Sequence, residues 1–341
     1  MEKLTPLEVD QRKILIVGGS GYIGTVLTEH LLSQEYGVRN FDNLVYAHDL
    51  ATIPFLKNSN YQYVNGTITD TEKIASSLEG VTDVVLLAGL VGDPITAKYP
   101  ELAGDINDGG YKNILSLLNG RGLNKVIFVS TCSNYGLIDS DQLADEEFDL
   151  NPLSLYAKSK VQIEKNLLSM EDGVDFTPTI LRFATAFGMS PRMRFDLTIS
   201  QFVRAMYLGE DLVVFDADTW RPYCHVQDFS TVIRGVLEAP VSDVEFQVFN
   251  AGGNINNFTK RMIVEAIQEE LPKATVSYQE HGGDPRNYRV NFEKIGKALF
   301  FEPKYTVRDG IRELVSAMDN GLFTNIDEPK SFYGNWTIEG A

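Results

Sequence analysis

Tyr156 and Lys160 bracket the pentapeptide Tyr-Ala-Lys-Ser-Lys, a phenol and an ammonium one helical turn apart. Side chains at i and i+4 share a helix face, about 5–6 Å apart at Cβ. A free phenol, with a pKa of about 10, is a poor base at neutral pH, and a neighbouring cation favours its ionised form. Lys160 is therefore expected to lower the Tyr156 pKa and make that phenol an acid/base catalyst. Upstream, the run Lys125 to Ser130 leads into Thr131-Cys132-Ser133-Asn134-Tyr135-Gly136. Hydroxyls past the carboxyl end of a parallel strand can face a bound ligand. Thr131 is expected to hydrogen-bond a substrate oxygen while Tyr156 exchanges its proton and Lys160 holds the phenolate and a cofactor ribose.

A second pattern supplies that cofactor. The apolar run Lys13 to Val17 ends in Gly18-Gly19-Ser20-Gly21, and Tyr22 to Leu32 follows with helical spacing. Gly18, Gly21 and Gly24 thus stand between a strand and a helix, where glycine lets the backbone approach a pyrophosphate and the helix end meets its charge. Asp42 closes the next strand about 20 residues on, the place of an acid that accepts adenosine ribose hydroxyls. An Asp there repels a 2′-phosphate, and Asn43 and Leu44 bring no arginine to bind one. NAD is expected rather than NADP.

These residues need a frame, and the alternation of patterns describes it. Strands are read at Tyr36 to Asp42, Tyr61 to Asn65, Val84 to Ala88, Lys125 to Ser130 and Thr177 to Arg182. Helices are read at Thr71 to Leu78, Ala103 to Leu118 and Tyr156 to about Ser169. The expected class is α/β, a Rossmann-type doubly wound parallel sheet. Residues 1–187 form the NAD-binding domain, with segments near 223–252 returning to it. Residues 188–341 form mainly a smaller mixed α/β substrate lobe and a tail. Helices are read there near Leu197 to Leu208, Phe229 to Leu237, Lys260 to Leu271 and Val307 to Asp319. The tail from Phe323 to Ala341 is aromatic and turn-rich, with no period that assigns it a role.

Composition excludes several classes. Among 341 residues, 43% are hydrophobic and 23% charged, as in ordinary globular chains. A formal charge of -17 argues against nucleic-acid partners, whose affinity comes from neutralising phosphates. The polar start, Met1 to Arg12, has no signal-peptide core, and no window reaches the roughly 18 apolar residues of a membrane span. A cytoplasmic protein is expected. Cys132 and Cys224 lack the spacing of a disulfide framework or a metal site, so no metal is expected. His225 reads as a buried, hydrogen-bonded histidine.

With those motifs in place the chain resembles the extended short-chain dehydrogenase/reductases, in particular the NAD-dependent nucleotide-sugar epimerases and dehydratases, with UDP-galactose 4-epimerases among them. The resemblance rests on Gly18-Gly19-Ser20-Gly21-Tyr22-Ile23-Gly24, Asp42-Asn43-Leu44, Gly66-Thr67-Ile68-Thr69-Asp70, Leu87-Ala88-Gly89, Ile106-Asn107, Ser130-Thr131, Tyr156-x-x-x-Lys160, Arg182 and Arg221-Pro222-Tyr223-Cys224-His225-Val226-Gln227-Asp228. It implies that Tyr22, Ile23, Asn43, Leu44, Thr67, Ile68, Leu87, Ala88, Gly89, Tyr156 and Lys160 join the glycines and Asp42 around NAD. It further implies that Asn107 stabilises the helix beside the site, and that two copies pair as a homodimer through the helices Ala103 to Leu118 and Tyr156 to Ser169.

Departures narrow the chemistry. Dehydratases of this family resemble Thr-Asp-Glu where this chain has Thr131-Cys132-Ser133, and a thiol and a hydroxyl do not replace two carboxyl groups. After Arg182 the chain has Thr185 where many 4-epimerases have Asn. Arginines recur in the second half, and guanidinium forks suit a diphosphate. The resemblance puts Arg221 and Arg286 on that diphosphate, and the loop carrying Arg192 and Arg194 over the sugar. Cys132 and Ser133 join the expected substrate contacts, Cys132 either facing the sugar or packing as a small thiol. The reaction expected is reversible hydride transfer at sugar C4 of a nucleoside-diphosphate sugar, giving epimerisation. The alternatives are a net 4-dehydrogenase or 4-ketoreductase on the same residues, and a non-catalytic NAD(H)-sensing protein.

Overall fold

The computed structural model describes residues 8–139, 142–171, 173–282, 284, 286–327 and 331–338. The start of the polar N-terminal stretch and the last residues of the tail lie outside them. Twelve strands run through these residues: β1 (Lys13–Val17), β2 (Gly37–Asp42), β3 (Tyr61–Asn65), β4 (Asp83–Leu86), β5 (Lys125–Thr131), β6 (Thr177–Phe183), β7 (Thr185–Phe187), β8 (Leu212–Phe215), β9 (Trp220–His225), β10 (Gln247–Ala251), β11 (Asn257–Thr259) and β12 (Val276–Gln279). Seven of them form one parallel sheet in the order β10-β6-β5-β4-β1-β2-β3. Every residue of β4, β5 and β6 is buried, as strands covered by helices on both faces must be.

That order creates the site. β1 pairs with β2 on one side and β4 on the other, so the chain reverses its direction of travel across the sheet at β1. A crevice opens at such a reversal, outside the carboxyl ends of the strands. Gly18, Asp42, Leu87 and Thr131 stand at the ends of β1, β2, β4 and β5. Ser154 starts the helix Leu155–Leu168 by accepting the Ala157 amide, which puts Tyr156 in its first turn and Lys160 one turn deeper.

A smaller region follows, with a three-stranded sheet ordered β11-β9-β7 and the β12-β8 pair. Its core gathers Phe195, Phe202, Val203, Ile263, Ile267, Ile311 and Leu314. Two of its neighbours in sequence belong to the large sheet: the helix Val226–Glu238 packs on the helix Tyr22–Ser33, and β10 pairs with β6.

Two elements differ from the sequence reading for local reasons. The strand expected to reach Ala88 stops at Leu86, because the Leu87 and Ala88 amides both donate to the Val17 carbonyl, at 2.9 and 2.7 Å. The backbone turns out of the sheet there and forms a wall of the crevice. The helix expected over Ala103 to Leu118 is interrupted by a π-helical stretch, Gly104–Gly110, before regular helix resumes over Tyr111–Leu118. Asn107 in that stretch binds both backbone groups of Leu90, at 2.8 and 3.0 Å. These two bonds pin the loop after β4 to the helix that borders the site.

Candidate active site

One cleft of about 640 Å³ runs over the carboxyl ends of the strands, and nearly all the candidate residues line it. At one end lies the glycine turn. Gly18 has φ +90, and a Cβ there would lie 2.7 Å from the Ala88 backbone nitrogen. At Gly24 a Cβ would lie 2.5 Å from the Gly18 carbonyl oxygen. Only glycine leaves this cradle open at the N-terminus of the helix Tyr22–Ser33, where backbone N–H groups attract a pyrophosphate. Asp42 is aimed by the Ser20 amide at 3.0 Å and the Leu44 amide at 2.8 Å. Burial raises its pKa, opposed by those amides and by Arg192. Asn43, Thr67, Ile68, Leu87, Ala88 and Gly89 complete this wall with Tyr22 and Ile23, whereas Leu44, expected with them, is not part of the lining and acts on Asp42 through its amide. The cradle and the acid fit a dinucleotide.

At the β5 end the Thr131 hydroxyl accepts the Ser133 amide at 3.1 Å, and it lies near enough to the Tyr156 phenol to oppose the rise of its pKa. The amide occupies a lone pair of Thr131 and leaves its single hydroxyl proton available to a ligand oxygen in the cleft. Lys160 Nζ lies 5.9 Å from the Tyr156 ring centre, but it donates to the Val129 carbonyl at 2.8 Å, with the Phe128 ring 4.6 Å away. The expected depression of the Tyr156 pKa is not found. Part of Tyr156 opens to the cleft, yet the packed walls desolvate the phenol, and Asp93 nearby adds to the rise. Lys160 is itself shifted, down to about 7, by burial, with Glu164 opposing. Desolvation dominates for both groups.

Beneath the site lies a buried network centred on Glu164, which the sequence reading passed over. Glu164 accepts from Arg182 at 2.8 Å, from Asn134 at 2.8 Å and from the Ser130 hydroxyl. Its position, one helical turn beyond Lys160, was the available signal. Cys132, expected among the substrate contacts, turns the other way. It is 1% exposed, and its thiol donates to the Arg182 carbonyl at 3.1 Å. Cys132 opens the single 3-10 turn Cys132–Tyr135 that follows β5, and its side chain is folded into the core while Thr131 lines the cleft. Burial pushes its thiol pKa well up.

Ser133, Thr185, Arg221 and Arg286 do line the cleft. Arg221 pairs with Asp284 at 3.0 Å, and Arg286 pairs with Asp93 at 2.6 Å and Asp284 at 2.8 Å. Burial opposes ionisation of Asp284, but Arg286 and Arg221 together hold its carboxyl below the usual range. Tyr288, which the sequence reading passed over, lies under Arg221 and bonds Ser133 at 3.2 Å. Arg194 is held by Asp196 at 2.6 Å. Arg192, expected over a sugar, instead stacks 5.0 Å from the centre of the Tyr46 ring and bonds Asn335 at 2.9 Å. Its charge reaches Asp42 and His48, at the dinucleotide end. His48, also passed over, is buried 3.9 Å from Asp42, and burial and Arg192 lower its pKa to about 4. His225 bonds Glu313 at 3.1 Å outside the cleft lining.

Among the described residues no group of three or more His, Cys, Asp or Glu is placed to hold a metal. No helix among them is long and apolar enough to cross a membrane.

A doubly wound sheet with a glycine cradle, a strand-end Asp and a Thr, Tyr and Lys beside the crevice defines an NAD-dependent enzyme of the extended short-chain dehydrogenase/reductase type. The chain belongs to the NAD dependent epimerase/dehydratase family, which it matches over residues 14–252. It is 26% identical over 313 residues to the UDP-glucuronate 4-epimerase of Thermodesulfobacterium geofontis, covering 89% of this chain and 94% of that one. It is also 26% identical over 314 residues to a UDP-glucose 4-epimerase of Halalkalibacterium halodurans, covering 86% and 91%. The structure of a Thermotoga maritima UDP-glucose 4-epimerase with UDP-glucose superposes with a TM-score of 0.81 at 25% identity, covering 91% of this chain and 100% of that one. That of a Bacillus anthracis dTDP-glucose 4,6-dehydratase in complex with NAD gives 0.80 at 27% identity, covering 92% and 98%.

Proposed function

We propose that this enzyme epimerises a nucleoside-diphosphate sugar at C4 through a transient 4-ketone. The observation that carries the reading is the convergence of Thr131, Tyr156 and Lys160 on one cleft, with a turn that offers Cys132 and Ser133 in place of two carboxylates. Relatives named as 4-epimerases of UDP-glucose and UDP-glucuronate support it. The similarity to a 4,6-dehydratase alone does not decide the reaction, because elimination needs acid and base groups that this turn lacks.

Bound NAD supplies the acceptor for hydride from C4 and its donor on return. Gly18, Gly24 and Asp42 hold the dinucleotide. Thr131 donates to the C4 oxygen and orients it toward Tyr156. Tyr156, as phenolate, takes the C4 hydroxyl proton while that carbon becomes a ketone, and gives the proton back when the ketone is reduced from its other face. Lys160, in its protonated form, contributes positive charge near the phenolate and a donor for a ribose hydroxyl. Arg221 and Arg286 bind the diphosphate, which displaces the carboxylates of Asp284 and Asp93 from them. Two copies associate through the face formed by the helices flanking Gly104 and Leu155.

The test incubates purified enzyme with UDP-, dTDP-, GDP- and CDP-sugars and follows C4 configuration by NMR. Interconversion of C4 epimers without net NADH formation is expected for at least one sugar. Tyr156→Phe should lower kcat by about 10²–10⁴-fold, the usual contribution of a general acid/base. Stoichiometric conversion of NAD to NADH with an unchanged C4 configuration in the recovered sugar would overturn the proposal in favour of a net dehydrogenase.

A further inference from the structure

We infer that residues 333–338 form a strap that supplies Asn335 and Trp336 to the cleft wall and holds NAD(H) in place from one turnover to the next. The family match ends at residue 252, so it does not speak for this segment.

The strap is tied to both sides of the cleft. On the lobe side, the Phe195 amide donates to the Tyr333 carbonyl at 2.7 Å, and Arg192 donates to the Gly334 carbonyl at 3.2 Å and to Asn335 Oδ1 at 2.9 Å. The Asn335 backbone amide also lies close enough to Asp196 to favour its ionised form. On the side of the large sheet, Asn335 Nδ2 donates to the Val91 carbonyl at 3.1 Å, and Lys98 donates to the Trp336 carbonyl at 3.2 Å. Ile338 ends the span as a buried anchor among Tyr46, Leu90, Ile95 and Ala103. One Asn side chain therefore joins Arg192 to Val91, two residues that both line the cleft.

The position of the ties indicates what the strap retains. Arg192, the residue it grips, stacks on Tyr46 and acts electrostatically on Asp42, at the dinucleotide end. Val91 follows the Leu87–Gly89 wall. Residues that would meet the diphosphate of a sugar substrate, Arg221 and Arg286, make none of these contacts with the strap. A bridge beside the dinucleotide end slows cofactor escape. Slow escape suits a redox-neutral cycle, in which sugars exchange many times and the hydride carrier stays. The functional consequence rests on the epimerase reading; the retention itself does not.

The experiment measures cofactor release with no sugar present. Wild type, a form ending at Pro329 and the milder Asn335→Ala variant are loaded with NADH, passed through gel filtration and chased with excess NAD. Loss of one or two net hydrogen bonds corresponds to roughly tenfold in rate, so a rise in NADH dissociation of about tenfold or more is expected for Asn335→Ala. The truncated form should release faster still, with an unchanged far-ultraviolet circular dichroism spectrum. In a Trp220→Phe background the one remaining tryptophan is Trp336, since the chain has two. Energy transfer from it to bound NADH is expected, and it reports proximity even where the truncated form fails to fold. Release rates within twofold of wild type for Asn335→Ala, or no energy transfer from Trp336, would overturn the inference. Slow release in a protein that oxidises sugars without epimerising them would sustain the strap and reject the epimerase.

Discussion

Lys160 stands one helical turn from Tyr156, with its ammonium 5.9 Å from the phenol ring centre, but its hydrogen bond goes to the Val129 carbonyl at 2.8 Å. Proximity along the helix therefore does not make the pair an ion pair. Both side chains are desolvated, and for each the neutral form gains: the phenol is raised and the ammonium lowered to about 7. The cleft is poised so that positive charge brought near Tyr156, as by an oxidised nicotinamide, has a large effect there, since little water screens it.

This arrangement fixes the sign of a stability effect. The folded pKa of Lys160, about 7, lies below the unfolded value of 10.5. Between them the unfolded chain binds a proton that the folded chain does not, so folding stability rises with pH across that window. Below it both states are protonated, and the cost of burying the charge is fully present. Each pH unit inside the window is worth at most about 1.4 kcal/mol. Denaturant unfolding of cofactor-stripped protein should show wild type gaining roughly 1–3 kcal/mol more than Lys160→Met between pH about 7.5 and about 9.5. Equal gains in the two proteins would mean that Lys160 keeps its proton in the fold.

Cys132 supplies a contrasting prediction, because it neighbours Thr131 in sequence while facing the core. Its thiol is 1% exposed and its pKa is raised well above the ordinary value by burial. Thiolate, not thiol, reacts with alkylating agents. Native protein should resist iodoacetamide at Cys132 by mass spectrometry, and Cys132→Ala should keep its turnover within about twofold while losing about 1 kcal/mol of stability to the small cavity. Rapid alkylation accompanied by inactivation would restore a place for this thiol in the cleft.

The Glu164–Arg182 pair, 2.8 Å apart with both side chains almost wholly buried, holds the floor of the site. Glu164 also receives Asn134 and Ser130, so it ties the turn after β5 to the helix that carries Tyr156. Removing one partner of a buried pair leaves the other charge uncompensated, at about 3–5 kcal/mol. Glu164→Gln should lose stability on that scale in urea unfolding, and the double variant with Arg182→Met should recover part of it. Additive losses in the double variant would show that the two side chains do not act as a pair.

Much of this was legible because local pattern and tertiary demand agree. β3 and the helix Val307–Asp319 coincide with their sequence limits, since each is bounded by turn residues and has one dominant period. Thr131, Tyr156 and Lys160 come together because each sits at a defined place on a strand end or a helix. What was not legible depended on contacts between distant segments. The turn of Leu87 and Ala88 toward Val17, the π-helical stretch around Asn107 and the direction of Arg192 leave no periodic trace. The tail is the clearest case. Its residues have no period because their placement is set one at a time by Phe195, Arg192, Val91 and Lys98.

Self-association is expected through the helix Leu155–Leu168 and the segment from Asp93 to Leu118. Leu155 and Leu153 are 55% and 40% exposed at the start of that helix, an unusual place for leucine unless something covers it. Beside them a hollow of about 260 Å³ lies between the helices, lined by Ala103, Gly104, Leu155 and Ser159 among others. Small residues there let a partner helix approach closely, and two such faces related by a twofold axis present the same hollow and the same leucine to each other. A stable dimer needs roughly 1,200 Å² of buried surface, which two helices on each side can supply. Sedimentation velocity at micromolar protein should therefore give a dimer, and Leu155→Glu should shift it toward monomer by placing a charge in the centre of the face. Monomer alone in the wild type would refute the pairing. A dimer insensitive to Leu155→Glu would move the interface elsewhere.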